Sequence, residues 1–212
     1  MAHDSALYTK YVICSLMWSK LWSSRPSDTF GSVESFMLRL RCDVLCLQET
    51  KASRSLLQQQ PAAAAAHVDG WDSFWSCNVT ERGGFNGVCT YARKGMTQEA
   101  NARPFDDRSL DDEGRALVTV HGGMAIVNVY VPCGGGEAKI RFLKATREVA
   151  RGLRKRGLHV VLLGDLNASR RPCDVSFKWR YAALVPPCQQ LPPVVTSALP
   201  LLLYAACPFC FQ

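Results

Sequence analysis

Apolar and polar positions along the middle of this chain follow two periods. Short runs that are wholly apolar or apolar at every second residue alternate with stretches spaced three and four apart, as on one face of a helix. Asp43–Gln48 (DVLCLQ) and Leu158–Leu163 are apolar enough to predict buried strands. Trp71–Ser76 and Gly87–Ala92 also predict strands, separated by the turn-forming Gly83-Gly84-Phe85-Asn86-Gly87. Ala116–Val120 and Met124–Val131 predict a hairpin around Gly122-Gly123. Ser32–Leu40 predicts a short helix capped by Ser32. Glu137–Arg156 predicts a long helix, and Ser53–Ala66 a helix-prone stretch broken at Pro61. Paired strands with helices between them place the chain in the α/β class as a layered domain.

The pattern divides the chain into three zones. Residues 1–30 hold several aromatics without a clear period, and residues 31–175 carry the regular pattern. From Tyr181 to Gln212 no residue is charged and six prolines fall, so residues 176–212 are expected to be a disordered or non-homologous tail. Within that tail, Val194–Phe211 is apolar enough to be weighed as a membrane anchor, but Pro200 and Pro208 interrupt it and the expectation is no membrane association.

Composition narrows the class further. With 212 residues, 48% hydrophobic and 20% charged, the chain is suited to one globular domain, which excludes wholesale disorder and collagen-like repeats. Its 25 Lys and Arg against 18 Asp and Glu leave a formal charge of +7, a surplus that suits a polyanionic partner. The ten cysteines are scattered through apolar runs rather than forming a paired framework, so they are expected to be reduced. The lone CxxC, Cys207–Cys210, has neither a second pair nor a nearby His and is not expected to bind zinc. With no convincing secretory signal, the expected location is nuclear, with mitochondrial or cytoplasmic placement as alternatives.

Several polar residues stand at strand ends. Ligands of α/β sheets gather at the carboxyl ends of strands, and Glu49 and the Asp165-Leu166-Asn167 segment follow the two most apolar runs. Glu49 is read either as a ligand for a hard metal ion or as a strand-end carboxylate paired with Lys51. Asp165 and Asn167, two apart, point to one side and offer a carboxylate and an amide, a set that suits Mg²⁺ or an Asx-type turn. In Asn-Val-Tyr-Val-Pro, alternation puts Asn128 and Tyr130 on the face opposite Val127, Val129 and Val131, lining either a cleft or a solvated surface. Arg115, in Asp-Glu-Gly-Arg, can meet a phosphate in bidentate fashion or form a surface ion pair. The Glu137–Arg156 helix carries eight basic residues against Glu137 and Glu148, either a nucleic-acid contact or a solvated face.

Taken in order, Leu47-Gln48-Glu49-Thr50-Lys51, Gly84-Phe85-Asn86-Gly87-Val88, Glu113-Gly114-Arg115, Asn128-Val129-Tyr130-Val131-Pro132 and Gly164-Asp165-Leu166-Asn167 resemble the exonuclease III family of abasic-site endonucleases. That family lies within the endonuclease/exonuclease/phosphatase superfamily, and the resemblance is to its type 2 abasic-site branch, over roughly residues 31–175. It implies a partial four-layer sandwich, two β-sheets flanked by helices. It implies Mg²⁺-dependent hydrolysis of DNA, with Mn²⁺ as the alternative ion, cutting 5′ to abasic sites and trimming blocked 3′ ends in base excision repair. By match, Glu49 resembles the metal-binding glutamate. Tyr130 resembles the active-site tyrosine, Asp165 the group that handles the water or leaving-oxygen proton, and Asn167 the amide that positions the nucleophile. Asp165 and Asn167 are also carried over as metal ligands, and Phe85 and Arg115 as DNA contacts.

The sequence departs from that family's pattern at both ends. No Trp-Asn-x-Asn-Gly-like motif stands in residues 1–30, and no Ser-Asp-His motif follows Asp174. The sandwich is therefore expected to lack its first strand and its last several, with residues 1–30 and 176–212 as non-homologous replacements. Cys133 stands where the family usually has Asn or His. No clamp-binding peptide is visible in the tail. The competing readings are a non-catalytic fragment and a superfamily phosphodiesterase acting on lipid or inositol phosphates.

Overall fold

The computed structural model describes residues 12–17, 33–60, 62–80, 84–134 and 136–168. The Ser32 cap, Pro61, the Cys207–Cys210 pair, the weighed anchor and the whole 176–212 tail lie outside the described residues. Among the described residues, no helix is long and apolar enough to cross a membrane.

The described residues form two four-stranded sheets with helices on their outer faces. The first sheet contains β1 (Ile13–Met17), β2 (Val44–Gln48), β3 (Trp71–Ser76) and β4 (Val88–Arg93), in the order β1-β2-β4-β3. The second contains β5 (Glu99–Asn101), β6 (Ala116–His121), β7 (Met124–Tyr130) and β8 (His159–Asp165), in chain order. Each sheet has one parallel pair, β1 with β2 and β7 with β8. The helices are α1 (Val33–Leu40), α2 (Ala62–Ala66), α3 (Arg108–Asp111) and α4 (Glu137–Lys155), with a 3-10 turn at Leu56–Gln58.

Period-two alternation assigns each strand face to a layer. Leu45, Leu47 and Tyr91 pack outward with Met37 of α1 and Trp71, while the Tyr91 hydroxyl donates to the Ala65 carbonyl of α2. Val44, Cys46 and Ala92 point the other way and meet Ile126 and Leu163 of the second sheet. Val127 and Val129 face outward onto Phe142 and Leu153 of α4. The order is helix, sheet, sheet, helix, as the family resemblance implied. Fully burying an aliphatic side chain such as Ile126 contributes about 1.5–3 kcal/mol.

Three elements were not legible in the sequence. β1 falls inside residues 1–30, where no first strand was expected. Its five residues are too few to display a period, and it is recruited by parallel pairing of Ile13 with Val44 through Met17 with Gln48. β5 is an exposed three-residue edge strand without apolar alternation, held by pairing with β6. α3 is one turn, started by the Asp107 side chain accepting from the Ser109 amide.

Candidate functional site

The carboxyl ends of β2, β7 and β8 meet at one edge of the sandwich. Glu49 follows β2 in the first sheet. Tyr130 closes β7 in the second, and its neighbour in register is Asp165, which closes β8. The two sheets touch here directly: the Tyr130 hydroxyl donates to Glu49 Oε1 at 2.7 Å, and Lys51 Nζ lies 3.6 Å from Glu49 Oε2.

The Tyr130 phenol is held protonated well above its ordinary range. Burial is the largest cause, followed by its hydrogen bond to Glu49 and the charge of that carboxylate; the Arg115 cation opposes the rise. Tyr130 is therefore a donor at neutral pH. Arg115 stacks over its ring, with Cζ 4.9 Å from the centroid, and pairs through Nε with Glu113 at 2.5 Å. Its Nη1 also donates to the Tyr130 carbonyl at 3.3 Å. Arg115, singled out for DNA phosphate, is thus largely buried, stacked on the Tyr130 ring and paired with Glu113.

Asp165 and Asn167 form a compact unit. The Asn167 amide N–H donates to Asp165 Oδ1 at 2.9 Å, and Asn167 Nδ2 donates to the Val131 carbonyl at 2.7 Å. With its amide nitrogen so engaged, Asn167 keeps Oδ1 as an acceptor. Phe85 stands at the rim, 59% exposed, on a segment tied to the residues after Glu49 by Lys51 N–H to the Asn86 carbonyl at 2.7 Å.

Backbone strain gathers at this edge. Six described non-glycine residues have positive φ, and four of them, Glu49, Lys51, Asn86 and Asn167, belong to the site. Such conformations cost about 1–3 kcal/mol each and persist where the surroundings over-determine them. The glycines of two motifs have backbone reasons as well. Gly164, at φ +125°, lies so close to β7 that a Cβ would overlap the Val129 carbonyl. Gly114, at φ +66°, would drive a Cβ into the Cys77–Asn78 peptide.

Two supporting residues were missed by the sequence reading. Gln48, 2% exposed, points between the sheets, where its Nε2 donates to Asn128 Oδ1 at 2.8 Å. Asn128, fully buried, in turn donates to the Cys89 carbonyl at 2.9 Å. The Asn128 face is thus neither a solvated surface nor an open cleft, but the seam between the sheets. Gln48's signal was a polar residue at the inward position of the Val44-x-Cys46-x-Gln48 alternation. Lys139, in the first turn of α4, donates from Nζ to the Asn167 carbonyl at 2.6 Å. Its signal was its phase, since Lys139, Phe142, Thr146 and Leu153 share the inward face of the helix.

The described residues thus make a two-sheet α/β sandwich with helices outside and a polar cluster where β2, β7 and β8 end. The chain belongs to the Endonuclease/Exonuclease/phosphatase family, which matches residues 19–186. The DNA-(apurinic or apyrimidinic site) endonuclease 2 of Xenopus laevis is 31% identical over 173 residues, which covers 64% of this chain and 32% of that protein. The Homo sapiens counterpart is 32% identical over 191 residues, with 72% and 36% covered. The chain thus spans about a third of the length of these curated relatives. Among solved structures, a Neisseria 3′ phosphatase bound to product DNA hairpin aligns with a TM-score of 0.59 at 25% identity, over 78% of this chain and 61% of that one. A 3′-5′ exonuclease from Neisseria meningitidis aligns at 0.52 and 26%, over 68% and 55%.

Proposed function

We propose that this chain hydrolyses phosphate esters in DNA with Mg²⁺, cutting on the 5′ side of abasic sites and trimming blocked 3′ ends, as part of base excision repair in the nucleus. The observation that carries this reading is the Tyr130–Glu49 hydrogen bond, which joins the two sheets beside the Asp165–Asn167 unit. Relatives named as abasic-site endonucleases and a structural neighbour holding a DNA product support DNA as the substrate.

The donor set fits a hard cation. Among the described residues no three of His, Cys, Asp or Glu gather as a metal cluster. A site with one or two carboxylates, completed by water and substrate phosphate, is the habit of Mg²⁺ rather than Zn²⁺. Glu49 would hold the ion, with Asp165 and Asn167 as further oxygen donors. Bound there, it would neutralise charge developing on the phosphate oxygens.

The chain's own groups do the rest. Asp165 accepts a proton from the attacking water as the new oxygen–phosphorus bond forms and the bond from phosphorus to the 3′ oxygen breaks; that oxygen takes its proton from solvent. Asn167 Oδ1 orients the water. Tyr130, kept as a phenol, holds Glu49 in place, and Arg115 holds Tyr130.

The test is cleavage of abasic and 3′-phosphate duplexes by the purified chain with Mg²⁺, beside Asp165→Asn and Glu49→Gln. Removing a proton acceptor should lower the rate by about 10²–10⁴-fold. Equal rates in wild type and Asp165→Asn would sink the proposal. Hydrolysis of a soluble inositol phosphate with no DNA cleavage would transfer the site to the other superfamily chemistry.

A further inference from the structure

The long helix α4 carries more positive charge than its own neighbourhood neutralises. We propose that its outward face is a second contact for nucleic acid, gripping the sugar–phosphate backbone of the duplex outside the site at the strand ends. The choice of nucleic acid as occupant rests on the function proposed above.

Phe142, Thr146 and Leu153 turn toward the sheet and are buried. At 100° per residue, the opposite face presents Lys144, Arg147, Arg151, Arg154 and Lys155 within a single stripe. All five are exposed, and the acid beside them is Glu148, which pairs with Arg151 at 3.3 Å. The flanking cations are already engaged: Arg141 pairs with Asp107, and Arg156 with Glu99. Lys144, Arg147, Arg154 and Lys155 take part in none of the ion pairs among the described residues.

The stripe's length matches such a partner. The eleven steps from Lys144 to Lys155, at about 1.5 Å each, span roughly 16 Å. One duplex strand offers about five phosphates over that distance, at roughly 3.4 Å of axis per phosphate. The helix also leads away from the site: its first turn is fastened there by Lys139 to Asn167, so the stripe starts within about two turns of the strand ends. Phosphates neutralised here add affinity and salt dependence without touching the reacting bond.

The experiment measures binding of a fluorescent DNA duplex by the full chain in EDTA, across a salt series. The variant replaces Lys144, Arg147, Arg154 and Lys155 with Gln, which retains helix propensity. The slope of log affinity against log salt should become shallower by about 2–4, at roughly 0.9 per phosphate released. Circular dichroism and the thermal midpoint of the variant should match wild type. Cleavage at saturating DNA should be unchanged. A wild-type slope in a folded variant overturns the proposal, as does a loss confined to phosphatidylserine vesicles, which would make the face a lipid contact. A shallower slope in a chain that cleaves no DNA would keep this surface and reject the nuclease reading.

Discussion

The hydroxyl of Tyr130 and the carboxylate of Glu49 meet at 2.7 Å across the seam between the two sheets, 81 residues apart in sequence. Neither residue can be placed without the other sheet, so the bond reports directly on whether the sandwich edge is correctly assembled.

Tyr130→Phe removes that bond while keeping the ring under Arg115. DNA cleavage should fall about 10- to 100-fold, the equivalent of roughly 1.4–2.8 kcal/mol of transition-state stabilisation. Stability should also change with pH. The folded-state pKa of Tyr130 is raised above the ordinary value of 10.0. Its contribution is therefore complete below that value and is lost as pH rises toward the folded value, because the unfolded chain releases the proton first. Urea denaturation should show the wild type losing stability above pH 10 more steeply than Tyr130→Phe. Tyr91, raised by deeper burial, leaves part of the decline in both. Identical slopes would contradict this assignment.

Lys139 fastens α4 to the Asp165–Asn167 unit through the Asn167 carbonyl. It acts as a positioning residue, holding the Asn167 backbone at φ 47°, a left-handed conformation that asparagine tolerates better than most residues. Lys139→Met should lower kcat by about tenfold, or roughly 1.4 kcal/mol, with little change in KM. Lys139→Arg should restore part of it. A loss carried entirely by KM would show that Lys139 binds substrate instead.

Gln48 and Asn128 form a buried amide pair between the sheets. Replacing Gln48 by Leu leaves Asn128 Oδ1 without its donor, and replacing Asn128 by Leu leaves Gln48 bonded to the Ser15 hydroxyl but not across the seam, each at a cost of about 1–3 kcal/mol. The double replacement should cost less than the sum of the two, giving a coupling energy of about 1 kcal/mol or more in a thermodynamic cycle. Strict additivity would mean that the pair does not couple the sheets.

Gly164→Ala should destabilise the fold by more than about 2 kcal/mol, because positive φ is strained for alanine and its Cβ would overlap the Val129 carbonyl. Gly70→Ala provides the comparison. Gly70 has φ +78° but open space around its Cβ, so it should show the strain alone. Equal midpoints for the two variants in thermal melts would refute the close-packing argument.

Much of the architecture was legible in the chain because burial imposes periods. The outward Leu45 and Leu47 and the inward Val44 and Cys46 stand in the order of their side chains, and Phe142 and Leu153 of α4 are buried as expected of its apolar residues, whereas Ile140, grouped with them in the sequence, is 49% exposed. Glu49, Tyr130, Asp165 and Asn167 could also be singled out, as polar residues where apolar strands end. β1 could not be read: five residues gain their place from pairing with β2, a long-range term that local sequence does not carry. Nor could the partner of Arg115, whose guanidinium was equally suited to a phosphate until the fold set Glu113 and the Tyr130 ring against it.

The sequence by itself determined which residues face each layer and which polar groups collect at the strand ends, since periodicity and strand termini are local properties of the chain. Only the tertiary structure decided that Tyr130 meets Glu49, that Gln48 locks to Asn128, and that Lys139 reaches Asn167. Those contacts join segments 28 to 81 residues apart, and their geometry exists only once the two sheets and α4 have packed.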